Sequence, residues 1–376
     1  MSVRSVLVCM DQRPVGEIAE ASNHRYAFSY ADSWLKDGFN ISPFSLPLEN
    51  GVFIASGNNF DGLFGVFADS LPDSWGRLLV DRMLSFRGIN PSDVSPLERL
   101  CIVGDSGMGA LSYRPMWDTW TKPAIDDLDT LCKACHELIN RRETDDLDRL
   151  FALGGSSGGA RPKLIGSEWI IKFPTSADMP HAGKMEKDYM DCAKSCGIDV
   201  PETRLYPSGI CEGYFAVRRF DRDALPDGTL VRRHVLTAAA LLELDWRTPS
   251  LDYHSLMKLT SILCAGSKAA LIEMYRRMCF NVYAHNRDDH AKNFSFIFDE
   301  AKHIWRLSPA YDLTRSDTYF GEHTTTVDGN GKDPGLPELL SVGMRAGLSK
   351  RVCVSIAEEI EAATREIVFR YGQIGK

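Results

Sequence analysis

Residues 285–297 read His-Asn-Arg-Asp-Asp-His-Ala-Lys-Asn-Phe-Ser-Phe-Ile, a polar run set directly before an apolar one. Two carboxylates (Asp288 and Asp289), two imidazoles, an ammonium (Lys292) and an amide (Asn293) fall within its first nine residues. A carboxylate can take the proton of an attacking hydroxyl, and an amide oxygen can ligate a hard cation. A second chemistry-bearing stretch is Gly154-Gly-Ser-Ser-Gly-Gly159, followed by Ala-Arg-Pro-Lys163. Glycine lets backbone N–H groups turn toward a phosphate, and Arg161 or Lys163 would add positive charge. The loop fits neither G-x-x-x-x-G-K-[ST] nor G-x-G-x-x-G, so taken alone it also reads as a flexible linker.

Spacing separates the two carboxylates. Phosphoryl-transfer loops of the form H-R-D-x-x-x-x-N place the base Asp five positions before a metal-binding Asn. Asp288 to Asn293 has that spacing and Asp289 is one short, which marks Asp288 as the base and Asp289 as a solvated neighbour. The order here is His-Asn-Arg-Asp rather than His-Arg-Asp. Downstream, 294–298 and 304–307 flank the turn-like Asp299-Glu-Ala-Lys-His303. Pairing as a hairpin would bring Asn293 beside Ser308-Pro-Ala-Tyr-Asp-Leu313, so that Asp312 shares a Mg²⁺ ion with it. Lys172 ends the apolar strand of Glu168-Trp-Ile-Ile-Lys-Phe173, and the next helix begins near Glu186. In a kinase small lobe such a Lys contacts phosphates and such a Glu orients it. Each also reads as an ordinary residue with its charge in water.

The elements that must position these groups are legible in outline. Antiparallel strands are expected at 5–10, 14–21 and 24–30, then helices at 70–86 and 127–142. A polar separator lies at 141–149, followed by a strand-loop-strand pattern from Leu150 and a helix at 183–196. Strands near 203–206 and 214–217 precede a mainly helical remainder from 234 (HVLTAAALLEL and onward), interrupted by the strand pair. This is an α+β chain, and 376 residues suit two or three domains. A net charge of −8 argues against a large basic nucleic-acid footprint of its own. No apolar run approaches the roughly 18 residues that span a bilayer, and the N-terminus lacks a cleavage signal. The cytoplasm is the expected compartment, where the ten cysteines would stay reduced. Cys132-Lys-Ala-Cys-His136 spells a haem-attachment pattern, but Leu128, Leu131, Cys132, Cys135 and Leu138 recur at helical spacing, which reads as a buried helix face.

The chain resembles the HipA-type bacterial serine/threonine kinases, the toxin halves of toxin–antitoxin pairs. The resemblance is carried by Asp288-Asp-His-Ala-Lys-Asn293, Tyr311-Asp-Leu313, Trp169-Ile-Ile-Lys172, Ala216-Val-Arg-Arg-Phe-Asp-Arg222 and the Gly-Ser loop ending Arg-Pro-Lys. Gly62-Leu-Phe-Gly-Val-Phe-Ala-Asp-Ser-Leu-Pro-Asp-Ser-Trp-Gly76 resembles part of the family's extra N-terminal subdomain. It implies a two-lobed, protein-kinase-like fold related to lipid kinases, with a β-rich N-terminal subdomain (1–115), a kinase N-lobe (116–216) and a helical C-lobe (217–376). ATP would lie between lobes.

Carried onto this chain, the resemblance implies Asp288 as base, Asn293 and Asp312 as Mg²⁺ ligands and Lys172 as the α/β-phosphate contact, oriented by Glu186. Lys292 would neutralise the transferring group. His290 would steady the loop, or serve as a plain structural hydrogen-bonder. Residues 217–221 would form the adenine-side hinge through Arg218 and Phe220 (Phe220 also reads as core filler), with Asp221 at the ribose. Ser157, Gly158, Gly159 and Lys163 would line the phosphates. A loop serine, Ser156 or its neighbour Ser157, would be autophosphorylated and switch the enzyme off by repelling ATP. Arg218 stands where an acidic hinge residue can occur.

The implied partners are a small HipB-like helix-turn-helix antitoxin, DNA mainly through that antitoxin, and a protein substrate with an aminoacyl-tRNA synthetase as precedent. No membrane is implied. Two other readings are a small-molecule phosphotransferase, which uses a similar Asp-x₄-Asn loop, and an inactive kinase fold that binds a repressor.

Overall fold

The computed structural model describes residues 3–22, 24–57, 59–117, 123–175, 178, 180–318 and 321–372. The chain forms two compact units, the first of Met1–Gly183, Leu205–Leu236 and Ala240–Glu243, the second of Lys184–Arg204, Thr237–Ala239 and Leu244–Lys376.

In the first unit the N-terminal strands form as their alternation predicts. Val6 and Val8, Gly16 and Ile18, and Phe28 and Tyr30 are buried at alternate positions of Ser5–Met10, Arg13–Glu20 and Tyr26–Tyr30, with Val15 the extra residue of a bulge. Met10 pairs with Arg13, so Asp11 and Gln12 make a two-residue turn with φ of 46° and 69°, the left-handed geometry such hairpins use. Phe53–Ile54 and Leu111–Arg114 complete the five-stranded antiparallel sheet at its two edges. A second sheet holds Lys163–Ile165, Trp169–Lys172, Tyr214–Arg218 and Thr203–Tyr206 in that order. Its Leu164, Ile171 and Ala216 share one core with Trp75, Leu79 and Met83 of the helix Ser74–Phe86 and with Leu131 and Cys135 of the helix Leu128–Ile139. Cys132-Lys-Ala-Cys-His136 is therefore a buried helix face, with His136 Nε2 2.8 Å from the Pro174 carbonyl.

Three local expectations change. The helix expected from 70 starts at Ser74, because Pro72 lacks an N–H and Asp73 is extended before it. The stretch before the Gly/Ser loop is a helix, Leu147–Gly154, rather than a strand, and it takes in part of the supposed separator. Leu147, Leu150, Phe151 and Gly154 recur at helical spacing, and tertiary packing of that face on the core overrides the β signal. At 234–244 only Ala238–Leu241 is helical, and Val235–Thr237, with its β-branched ends, is a strand.

The second unit is mainly helical. It contains Tyr253–Leu263, Lys268–Tyr283, Leu336–Arg345 and Lys350–Gly372, with Met274, Met278, Cys353 and Ile360 in their shared interior. The anticipated hairpin is present as Ser295–Asp299 against Ile304–Leu307, in the register Phe296↔Leu307 to Asp299↔Ile304. A short parallel pair joins Leu251–Asp252 to Thr325–Thr326. No described helix is long and apolar enough to cross a membrane.

Candidate active site

The loop that carries the two aspartates leaves the end of the helix Lys268–Tyr283 through His285, whose φ is 56°. Its backbone is bonded on two sides. Arg287 N–H donates to the Ser316 carbonyl at 3.2 Å, and Thr324 N–H donates to the Arg287 carbonyl at 2.9 Å. The Asp288 side chain, 57% exposed, faces solvent. The next turn is the 3-10 segment Ala291–Asn293, and it folds Asn293 back so that Nδ2 donates to the Asp288 carbonyl oxygen at 2.6 Å. The five-residue spacing thus becomes a closed loop, with the amide oxygen of Asn293 turned away from that bond.

The hairpin then does what its position in the sequence requires. Ser308 N–H donates to the Ser295 carbonyl at 3.0 Å, and the Tyr311 hydroxyl donates to the Lys292 carbonyl at 2.7 Å. The residue before Asp312 is therefore bonded to the residue before Asn293. Asp312 itself has a φ of 53°, a conformation that non-glycine residues adopt mainly at functional or turn positions, and its carbonyl accepts from Asn286 Nδ2 at 3.3 Å. Among the described residues no group of three or more His, Cys, Asp or Glu side chains is arranged to hold a metal. One amide oxygen and one carboxylate suit a Mg²⁺ ion whose remaining ligands are phosphate and water.

Trp246 was not singled out from the sequence, and no local signal marks it. Its ring lies against His290 at 5.2 Å between centroids, tilted by 48°, and 5.4 Å from Lys292 Nζ, so one indole places both side chains. His290 Nε2 is 4.0 Å from an Asp288 carboxylate oxygen, and Nδ1 is buried with no protein partner among the described residues. Asp289 is a correction. It is no solvated neighbour: its side chain is fully buried and accepts hydrogen bonds from Tyr253, His323 and the Thr325 N–H.

Glu186 also lies in the second unit, inside the helix Ala182–Ser195, and is only 1% exposed. A carboxylate so buried is no solvent-facing residue.

The remaining sequence-selected residues lie in the first unit. Lys172 and Lys163 are direct cross-strand partners, and Lys172 Nζ lies 5.6 Å from the Phe215 ring centroid. The glycine loop is tied down by its own protein. Lys163 Nζ donates to the Gly158 carbonyl at 2.6 Å, and Gly159 N–H donates to an Asp73 carboxylate oxygen. Gly159, with φ of 83°, in turn accepts from Trp75 N–H at 3.2 Å. In this conformation the Lys163 ammonium and the Gly159 amide are engaged by protein atoms rather than presented to an anion.

The two loop serines differ. Ser156 is half-buried and donates to the Ser106 carbonyl at 2.9 Å, whereas Ser157 is fully buried and donates to the Gly154 carbonyl at 2.6 Å. A Cβ built on Gly76 would sit 2.2 Å from the Ser157 carbonyl oxygen, so the helix Ser74–Phe86 approaches the loop backbone at a point only glycine permits. Gly76→Ala is expected to lower stability by about 1–3 kcal/mol through overpacking against a backbone atom. Equilibrium denaturation reads the loss, and limited proteolysis near 155–160 reads the loosened loop.

At the expected hinge, Arg218 is exposed and pairs with Glu168 at 3.2 Å, and Phe220 is half-buried. Asp221 is a second correction. The carboxylate is completely buried, paired with Arg219 at 2.8 Å and Arg222 at 2.6 Å, and it accepts the Gly109 N–H at 2.8 Å. It is an internal ion-pair centre, closed to a ribose.

Residues 6–114 match the HipA N-terminal domain and residues 155–367 the HipA-like C-terminal domain. The chain belongs to the HipA family. The Serine/threonine-protein kinase toxin HipA of Shewanella oneidensis is 24% identical over 398 residues, covering 92% of this chain and 87% of that protein. The "Putative kinase Y4dM" of Sinorhizobium fredii is 29% identical over 218 residues, 52% of this chain, and the matched part spans 50% of that protein's length. Among solved structures, the toxin–antitoxin complex of HipA, HipB and operator DNA from Shewanella oneidensis MR-1 matches with a TM-score of 0.72 at 18% identity, covering 97% of this chain and 91% of that one. The fold is thus that of HipA, an α+β, kinase-like architecture.

Proposed function

We infer that the chain is an ATP-dependent serine/threonine-protein kinase and the toxin of a toxin–antitoxin pair. The observation that carries this reading is the closed loop at 288–293, with a solvent-facing Asp288 and with Lys292, next to Asn293, tied through Tyr311 to the segment bearing Asp312. In the reaction, the acceptor hydroxyl oxygen forms a bond to the γ-phosphorus of ATP while the bond to the β–γ bridging oxygen breaks. The hydroxyl proton passes to the Asp288 carboxylate and ADP leaves with the bridging oxygen. Asn293 and Asp312 would hold Mg²⁺, which neutralises phosphate charge when bound. Lys172 is assigned to the nucleotide phosphates. Lys292, held over Trp246, is assigned to the transferring group. Little covalent chemistry falls to the protein, so positioning and charge neutralisation supply the rate.

Likeness to the Shewanella complex supports a HipB-like antitoxin as restraining partner, with DNA reached through it. The substrate is assigned to proteins carrying an acceptor hydroxyl, with an aminoacyl-tRNA synthetase favoured by the family resemblance. Autophosphorylation is assigned to Ser156, since Ser157 is closed off within its own turn.

Incubation of the purified chain with ATP and Mg²⁺ tests the reading. Mass spectrometry is expected to find phosphate on Ser156, and Ser156→Ala to remove it. ATP binding with no phosphate on this chain or on any protein of a cell extract would refute the kinase reading.

A further inference from the structure

The second aspartate of the loop is the most heavily bonded side chain around it. One Asp289 carboxylate oxygen accepts the Tyr253 hydroxyl at 2.9 Å and faces His323 Nδ1 at 3.2 Å, and the other accepts the Thr325 N–H at 3.0 Å. The Thr325 hydroxyl donates to the Asp289 carbonyl, so the main chain is held as well. The Tyr253 hydroxyl accepts from Asn281 Nδ2 at 2.8 Å, and Asn281 Oδ1 accepts from Asn286 Nδ2 at 2.9 Å. Burial and the Asp289 charge hold the Tyr253 phenol well above its ordinary pKa, so it remains a donor. A continuous buried chain of bonds therefore runs beneath the loop, from Asn286 just before it to the segment 323–325 beyond it.

This arrangement needs a reason. Burying a carboxylate is costly, and among the described residues the basic side chain that meets it is an imidazole rather than an arginine or lysine. A well-packed apolar side chain at 289 would fill the space at lower cost, but it could not bond to Tyr253, His323 and the Thr325 N–H at once. Directional bonds to a single point fix an orientation, which apolar packing does only loosely. The residue whose orientation is fixed this way is the immediate neighbour of Asp288. The same segment also bonds the residue on the other side, for both the N–H and the hydroxyl of Thr324 donate to the Arg287 carbonyl at 2.9 Å.

We propose that Asp289 is a positioning residue, whose buried carboxylate locks the loop 287–289 to Tyr253 and to the segment 322–327 so that Asp288 is held toward the acceptor hydroxyl. The proposal rests on the kinase reading for its catalytic consequence, whereas the lock itself is a property of the second unit and can be measured without turnover. Asp289→Asn keeps the size of the side chain but faces an NH₂ group toward donors. Its kcat for phosphoryl transfer is expected to fall about 10- to 100-fold, the scale of a small misplacement of a catalytic group, with KM for ATP changed less than about threefold.

Two experiments on the full chain decide it. Hydrogen–deuterium exchange is run on the wild type, Asp289→Asn, Tyr253→Phe and His323→Gln. The proposal expects exchange at 285–289 and 322–327 to rise together about tenfold or more in each variant, with the strands Ser5–Met10 and Arg13–Glu20 unchanged. The two milder variants keep the test decisive if Asp289→Asn folds poorly. Steady-state kinetics on the same proteins supplies the kcat-against-KM split. Unchanged exchange in those two segments, or a rise spread evenly over the whole chain, overturns the lock. Coupled exchange with unaltered kcat overturns the positioning role. Coupled exchange in a chain whose wild type transfers no phosphate retains the lock and refutes the kinase reading instead.

Discussion

Asp288→Asn is expected to lower kcat for phosphoryl transfer by about 10²- to 10⁴-fold, or roughly 3–5 kcal/mol of transition-state stabilisation, while the chain stays folded. The two halves of that expectation have separate causes. The rate falls because the amide cannot accept the hydroxyl proton. The fold survives because the loop is closed through the Asp288 main-chain carbonyl, which accepts Asn293 Nδ2 and is untouched by the substitution. The side chain itself is 57% exposed, where such changes shift stability by no more than about 0.5 kcal/mol. Phosphate incorporation from labelled ATP measures the first half and thermal unfolding the second. In cells the same variant is expected to lose growth inhibition. Full transfer activity in a folded Asp288→Asn protein would remove Asp288 as the base.

The largest stability effect is expected at Asp221, which the sequence suggested as a nucleotide contact. Asp221→Ala removes the one carboxylate that pairs with Arg219 and Arg222, guanidinium groups whose side chains are 2% and 9% exposed. The two cations remain buried, still bonded to the Gly107 and Gly109 carbonyls but without the carboxylate that contacts them both. Removing one partner of a buried pair typically costs about 3–5 kcal/mol, and chemical denaturation of the first unit should show a loss of that order.

A dependence on pH follows from the same cluster. Burial alone would raise the Asp221 carboxyl pKa, but the Arg219 and Arg222 charges and the Gly109 N–H outweigh it and hold the group below the usual carboxylate value. The stabilisation is therefore fully present above the unfolded value of about 4, and it is lost as pH falls through the lower folded value. Asp221→Ala should flatten this acid limb of the stability profile. A variant as stable as the wild type at pH 7 would contradict the role.

The contrast between Asp221 and Asp289 on one side and the closed loop 288–293 on the other marks how far local signals reach. Asp288, Asn293 and Asp312 could be singled out because their relation is local: five residues of spacing and one tight hairpin link them, and turn-like residues between two apolar runs announce that hairpin. Lys172 and Glu186 were singled out by equally local signals, the end of a periodic strand and the helix that follows. Asp289 was misjudged because its partners are remote, and Asp221 because what buries it is, even though its Arg219 and Arg222 partners lie within two residues. Tyr253, His323 and Thr325 come to Asp289 from 36, 34 and 36 residues away, and Gly109 reaches Asp221 across 112. No periodicity in a single chain encodes such meetings. The helix Leu147–Gly154 was missed for a related reason, since eight residues hold too few turns for their pattern to outweigh a neighbouring Gly/Ser run.

By itself, then, the sequence determined which residue types could act, their order along the chain and the family to which they belong. Each of these depends on composition and short-range spacing. Tertiary structure alone decided which of two adjacent carboxylates meets water, which loop serine is accessible, and that an indole at 246 carries the side chains of His290 and Lys292. Burial is a property of what packs around a residue, and for these side chains the packing comes from elements far away in the chain.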